Sequence, residues 1–368
     1  MKKRKIAILS PRFDGGDAVG NDALKMRETL AELGHDCRLF AGGWSVEAGV
    51  SHFSKIHSFL DKESVLIYHY SIAWEDGRQI FRNSRCLRAI KYHNITPPSF
   101  FDPYHAGIAN SCRAGLEMMG DFINSGCDLF LCDSAFNQAD LVRMGADPAK
   151  CRVAPPFHAI DELENIEASF PAILDYAGSF PNPPVNWLMV GRIVPNKGYE
   201  NLLKAFACYR RNYNANSKLI LVGKFDGQLE SYNRKLREII EMENLSGSVT
   251  LTGHVTDSVL KSCYLSASIF TTMSEHEGFC VPLLEAMSIR LPVLALANTA
   301  ILETAGDGAL LMQGNDPARF AAAANEILSS EKASLYYGCK GFNRYRAEYS
   351  SEKIRSTLLA AMKDWIDG

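Results

Sequence analysis

Twelve short apolar runs, separated by segments of helical periodicity, constrain this chain more than any other feature. The first six are KIAILS from Lys5, CRLFA from Cys37, VLIYHY from Val65, RAIKYH from Arg88, DLFLCD from Asp128 and CRVAP from Cys151. The second six are WLMVG from Trp187, KLILVG from Lys218, SVTLTG from Ser248, SIFTTM from Ser268, PVLALA from Pro292 and ALLM from Ala309. Near-continuous apolar strands alternating with helices imply parallel sheets covered on both faces. Between the first two runs, Ala23, Met26, Leu30 and Leu33 share one helical face, with Asn21 as the expected N-cap and Gly34 as the C-cap. A Pro/Asn-rich stretch, SFPNPPVN from Ser179, separates the two series.

The predicted fold class is therefore α/β, with two doubly wound, Rossmann-like domains. Residues 1–175 form the first, residues 176–349 the second, and the tail 350–368 is a helix returning to the first. Ligands of such sheets bind beyond the carboxyl ends of the strands, so the expected site is a cleft between the domains.

Composition narrows the partners. With 368 residues, 47% hydrophobic and 22% charged, the chain has enough apolar material for two cores. A net charge of −3 gives no field that draws the whole molecule to nucleic acid. The ten cysteines form no CxxC pair and no zinc spacing, which reads as free thiols in a reducing cytoplasm. MKKRKIAILSP has too short an apolar run for a signal peptide, and no stretch approaches a membrane span.

Two motifs carry chemistry. In VGRIVPNKGYENLL, Arg192 and Lys197 flank a loop between a strand and a helix. The order Lys-Gly excludes a P-loop. Two cations at a strand's carboxyl end suit a diphosphate, and a solvated basic turn is the plainer alternative. In SEHEGFCVPLLEAM, Glu277 precedes the helix VPLLEAMS and Glu285 lies about one turn inside it. Gly278 is expected to permit the turn and Pro282 to occupy the helix's first turn. The N–H groups of Gly278, Phe279, Cys280 and Val281 then offer an anion site. The plainer alternative makes Glu277 a cap and Glu285 a surface residue.

GRIVPNKG followed by EHEGFCVPLLEA resembles the C-terminal domain of the family 4 retaining glycosyltransferases, which have the GT-B architecture. CDSAFNQADLVRMGADPAKCRVAPP, LTGHV and LPVLALA extend the resemblance over nearly the whole chain. The resemblance implies that Arg192 and Lys197 bind the donor's diphosphate, that Glu285 meets the donor ribose and that Glu277 contacts the transferred sugar. It places the backbone of Phe279, Cys280 and Val281 at the phosphates and sugar, and His254 and Val255 near the base. It also implies that His93, in KYHNITPP, contacts the sugar, and that Gly15 and Gly16 approach the diphosphate. For His93 a loop or core role is the alternative.

No Asp-x-Asp metal motif is present, so the expectation is a metal-independent, retaining enzyme without a cofactor. The resemblance implies a nucleotide-diphosphate sugar of the GDP-mannose type as donor. The implied acceptor is a saccharide, including a polyprenyl-diphosphate-linked one, in bacterial O-antigen or capsule synthesis. The implied location is cytoplasmic, with peripheral contact at the inner membrane. Arg78, Arg82 and Arg85 recur at helical spacing, with Arg88 and Lys91 nearby, and are expected on a basic amphipathic helix that could touch anionic lipid. A nucleotide-sugar epimerase of the same architecture and a non-catalytic sugar-nucleotide-binding subunit are the alternative functions.

Overall fold

The computed structural model describes residues 3–14, 18–45, 49–178 and 181–366. The chain divides into two compact units, one of residues 1–99, 107–158 and 350–368, the other of residues 100–106 and 159–349. The junction thus falls after His158, not at 175. The helices Ile160–Asn165 and Phe170–Ala177 belong to the second unit, where Ile160 is wholly buried in the core.

Unit 1 holds β1 (Lys5–Phe13), β2 (Asp36–Trp44), β3 (Ser51–His52), β4 (Val65–Tyr70), β5 (Leu87–Tyr92), β6 (Leu129–Cys132) and β7 (Cys151–Val153). They form one sheet in the order β3-β2-β1-β4-β5-β6-β7, with every pair parallel. The order reverses between β1 and β4. Each of the six predicted strands is present, and the two-residue β3 is the addition. Period-two alternation sends Ile6, Ile8, Val65 and Ile67 to one face and Ala7, Leu9, Leu66 and Tyr68 to the other, and both faces are covered. Ile354, Leu358, Met362 and Ile366 of the C-terminal helices complete the first of these cores.

The first helix runs Ala18–Glu32, so Asn21 lies inside its first turn and does not cap it. Gly34 adopts φ 90° and its N–H donates to Ala31 O, as a C-terminal glycine should. The basic segment is not one amphipathic helix. Its helix stops at Asn83, Arg85 lies in the connection, and Arg88 and Lys91 are on β5. Lys91 is fully buried.

Unit 2 holds β8 (Val185–Val190), β9 (Ser217–Val222), β10 (Val249–Gly253), β11 (Ile269–Thr272), β12 (Val293–Leu296) and β13 (Leu310–Met312). Its parallel sheet has the order β10-β9-β8-β11-β12-β13, reversing between β8 and β11. Trp187 is wholly buried against Phe206, Tyr209 and Phe320 on one face, while Leu188, Phe270 and Ala295 join the core on the other. Among the described residues no helix is long and apolar enough to cross a membrane.

Candidate functional site

The two chemical motifs leave adjacent strands at the carboxyl edge of unit 2. β8 runs into Gly191 and Arg192, and β11 runs into Ser274–Glu277. Since the strand order reverses between them, both sit at the topological switch point, where doubly wound sheets bind ligands.

The loops are tied to one another before any ligand arrives. Buried Asn196 accepts from the N–H groups of Glu275 (2.8 Å) and His276 (3.3 Å), and its amide donates to His276 O at 3.0 Å. Gly198 takes left-handed backbone (φ 68°) and begins the helix Tyr199–Asn212. A Cβ there would lie 2.0 Å from Met273 O, so only glycine allows the loops this approach. Gly198→Ala is expected to destabilise the protein by at least about 3 kcal/mol, read as a lower denaturant midpoint.

Lys197 Nζ donates to both oxygens of Glu277, at 2.7 and 2.8 Å. Glu277 is only 7% exposed. Its N–H donates to Thr299 Oγ1 at 2.9 Å, which fixes the backbone under the carboxylate. An ammonium has three N–H donors, so Lys197 keeps one beyond those spent on Glu277. Arg192 is exposed, and no carboxylate lies within ion-pair distance of it among the described residues.

The helix Val281–Ser288 starts beside this pair, with Pro282 in its first turn as expected. The left-handed residue at the helix entrance is Cys280 (φ 82°), not the expected Gly278. Left-handed backbone is strained for a residue with a Cβ and is retained where packing over-determines it. Here Cys280 is buried, and Thr304 Oγ1 holds Phe279 O at 2.8 Å. The N–H groups of Phe279, Cys280 and Val281 have no acceptor among the described residues. Three open donors at a helix N-terminus, with the Lys197 ammonium near Cys280, are suited to an anion.

The remaining residues divide. Glu285 is half-buried in this helix and accepts from Tyr264 Oη at 2.5 Å. Burial pushes its carboxyl up to about 7 from 4.5, against the opposing Tyr264 hydrogen bond. Burial also lowers His276 to about 4, so its imidazole is neutral near pH 7. His254 and Val255 follow the edge strand β10, with His254 exposed. Gly15 and Gly16 lie outside the described residues.

His93 sits at the carboxyl end of β5 in unit 1, inside a buried polar cluster that sequence reasoning missed. Its Nδ1–H donates to Asp133 Oδ2 at 3.0 Å, and its Nε2 lies 2.9 Å from His69 Nδ1. Burial holds His69 well below its ordinary pKa, so it is neutral. Its one proton then belongs on Nδ1, donated to His93, which is consistent with a buried Nε2 that has no partner. Both ring nitrogens of His93 are thereby engaged.

Lys91 Nζ forms an ion pair with Asp133, donates to Ala154 O at 2.6 Å and stands 3.7 Å from Asp22 Oδ2. Burial opposes its charge, but Asp133 and Asp22 hold its pKa above the usual value. Burial would raise Asp133, but His93 and Lys91 outweigh it and keep the carboxyl low. Asp22, His69 and His93 present one ligand atom each within 4.8 Å, a spacing a metal would accept. The Lys91 ammonium beside the same Asp22 oxygen already supplies the compensating positive charge, which disfavours a divalent cation there. The sequence signal was a lysine in the apolar second half of a strand inside a sheet covered on both faces, which requires a buried partner.

Comparison with known proteins bears on the fold and on residues 178–344. Residues 178–344, just under half of the chain, match the family described as Glycosyl transferases group 1. The serotype-specific mannosyltransferase WbdA of Escherichia coli is 28% identical over 176 residues, covering 47% of this chain and 21% of the relative. O-antigen chain mannosyltransferase B of Escherichia coli is 32% identical over 129 residues, 35% of this chain and 33% of the relative. The chain thus spans about a fifth to a third of the length of these curated relatives. Anabaena HepE, in complex with UDP and glucose, superimposes with a TM-score of 0.76 at 14% identity, covering 98% of this chain and 99% of that one. The chain accordingly has the GT-B fold, and its residues 178–344 are similar to the glycosyl transferases group 1 family.

Proposed function

We propose that the chain is a retaining glycosyltransferase that moves a sugar from a nucleoside diphosphate to a saccharide hydroxyl. The observation that carries this reading is the Lys197–Glu277 pair at the switch point, beside the open N–H groups of Phe279, Cys280 and Val281. In this assignment the diphosphate lies on those N–H groups and on Arg192, with the free N–H of Lys197 directed to it. Glu277, its carboxylate oriented by Lys197, accepts from hydroxyls of the transferred sugar. Glu285 meets the donor ribose, with burial pushing its carboxyl pKa up to about 7. His254 and Val255 are assigned to the base.

The acceptor oxygen bonds to the anomeric carbon as the carbon–phosphate oxygen bond breaks. The acceptor's proton passes to the departing diphosphate on the same face, which retains configuration. Arg192, Lys197 and the helix N-terminus stabilise the negative charge that develops. The reaction is expected to need no metal, and transfer rates should be unchanged by EDTA. Unit 1 is assigned to the acceptor, with His93 as a positioning residue held by Asp133 and His69.

The similarity to Escherichia coli mannosyltransferases favours a GDP-mannose-type donor and a saccharide or lipid-linked saccharide acceptor of a surface polysaccharide. The test is transfer from GDP-mannose, UDP-glucose and other nucleotide sugars, read by product mass. Arg192→Ala is expected to lower kcat about 10²–10³-fold with the fold intact. A sugar converted without an acceptor would indicate an epimerase, and donor binding with no product would indicate a scaffold. A diphosphate of the correct base at ~100 times its Kd should stabilise the protein by about 2.7 kcal/mol.

Glu285 also predicts a pH dependence. Its folded pKa is raised, so its contribution is fully present below about 4.5 and is lost as pH rises to about 7. Stability should therefore fall across that window, by up to about 1.4 kcal/mol per pH unit. Glu285→Gln should flatten the slope in denaturant titrations at several pH values.

A further inference from the structure

We propose that the amino ends of β4, β5 and β6 form a second anion site, for a phosphate-bearing ligand. It lies at the opposite edge of unit 1 from His93. β5 has six residues, which separates the two ends by roughly 20 Å. The site is an open cavity of about 590 Å³ lined by Lys62, Arg82, Arg85 and Arg88, with Ser84, Ser125 and Asp128. Four cations thus face one carboxylate, in a chain whose net charge is −3.

What marks this cavity is the gathering of several cations without an acid partner in one place. Arg78, one turn before Arg82 on the same helix, binds Glu75 and Asp121. Arg12, Arg38, Arg143, Arg211, Arg237 and Arg355 likewise each meet an acid. Among the described residues, Lys62, Arg82 and Arg85 have no carboxylate within ion-pair distance. The single acid, Asp128, is engaged, because its Oδ2 accepts the Arg88 N–H at 3.0 Å. Like charges gathered without counter-charge repel one another, and a bound anion relieves that repulsion.

Arg88 supplies the rigid part of the site. Its guanidinium donates to Phe81 O (3.3 Å), Ser125 O (3.3 Å) and Gly126 O (2.8 Å) and lies 5.2 Å from the centre of the Phe81 ring. It is a fixed positive charge at the cavity wall. Arg82 and Arg85, in no ion pair with a described acid, have planar forks that match phosphate oxygens bidentately. The ligand chemistry is therefore a phosphate or diphosphate group, supplied either by a soluble molecule or by a phospholipid headgroup. This inference does not depend on the transferase reading.

The test uses the full chain, its Arg82→Ala/Arg85→Ala variant and Arg192→Ala. Both arginines of the pair are exposed, so the double variant should melt like the parent. Inorganic pyrophosphate, titrated calorimetrically in 50 mM salt, should bind at least about tenfold more weakly to the double variant. Arg192→Ala should keep this binding and lose only any pyrophosphate bound in unit 2, which separates failure here from failure of the transferase assignment. In a flotation arm, phosphatidylglycerol-containing vesicles are compared with pure phosphatidylcholine. Capture by the anionic vesicles that is lost in the double variant assigns the phosphate to lipid. Pyrophosphate binding without vesicle capture assigns it to a soluble ligand. If the double variant matches the parent in both pyrophosphate affinity and vesicle capture, the proposal is overturned.

Discussion

Lys197→Ala is expected to abolish measurable sugar transfer and to lower the melting temperature by roughly 6–12 °C. The stability loss follows from what stays behind. Glu277 is 7% exposed and would lose the ammonium that binds both its oxygens. Breaking a buried pair on one side costs about 3–5 kcal/mol, and Lys197's partial exposure favours the lower end. About 3 kcal/mol corresponds to that melting shift in a unit of this size. Removing both charges tests the assignment further. Lys197→Ala/Glu277→Ala should regain most of the lost stability, because no unpaired charge remains, while transfer stays absent. A double variant that recovers activity along with stability would show the pair to be structural only.

Lys91→Met is expected to be the most destabilising change in unit 1, by about 3–5 kcal/mol, read as a lower urea midpoint. The aliphatic volume is retained, but Asp133 loses its ion pair and Asp22, wholly buried, loses its nearby ammonium. The variant should also change the acid limb of the stability curve. Asp133 has a depressed folded pKa, so its contribution is present above about 3.8 and is lost as pH falls below that. Without Lys91 that contribution shrinks and the acid limb moves to higher pH. A variant as stable as the parent across this range would sink the account of Lys91 as the cluster's counter-charge. His93→Ala separates structure from function more finely. It should raise the acceptor KM more than it lowers kcat, as expected of a positioning group with both nitrogens engaged.

Several parts of this protein were legible from residue order alone. Each of the twelve apolar runs is a strand of the described structure, and their alternation with helices implied parallel, doubly wound sheets. Burial on both faces of a strand is a local property, written as an uninterrupted apolar run. The motif residues were legible for a related reason. Strand ends are marked by glycine and by the first polar residues, so Arg192, Lys197 and Glu277 could be placed at a carboxyl edge.

What tertiary packing decided was partnership. Residue type suits Lys197 to a phosphate and Glu277 to sugar hydroxyls; that they bind each other across 80 residues depends on Gly198 meeting the backbone of Met273. Lys91 has the composition of a surface cation, yet β5 buries it between Asp22 and Asp133, residues distant in sequence. The left-handed residue fell on Cys280, which intrinsic preference disfavours, because packing around the helix entrance over-determines its backbone. The unit boundary moved to residue 158 because Ile160 completes the second core, a matter of volume and not of local composition. Periodicity encodes which face of an element is covered; it carries no record of what does the covering, and the pairing of buried charges is set only there.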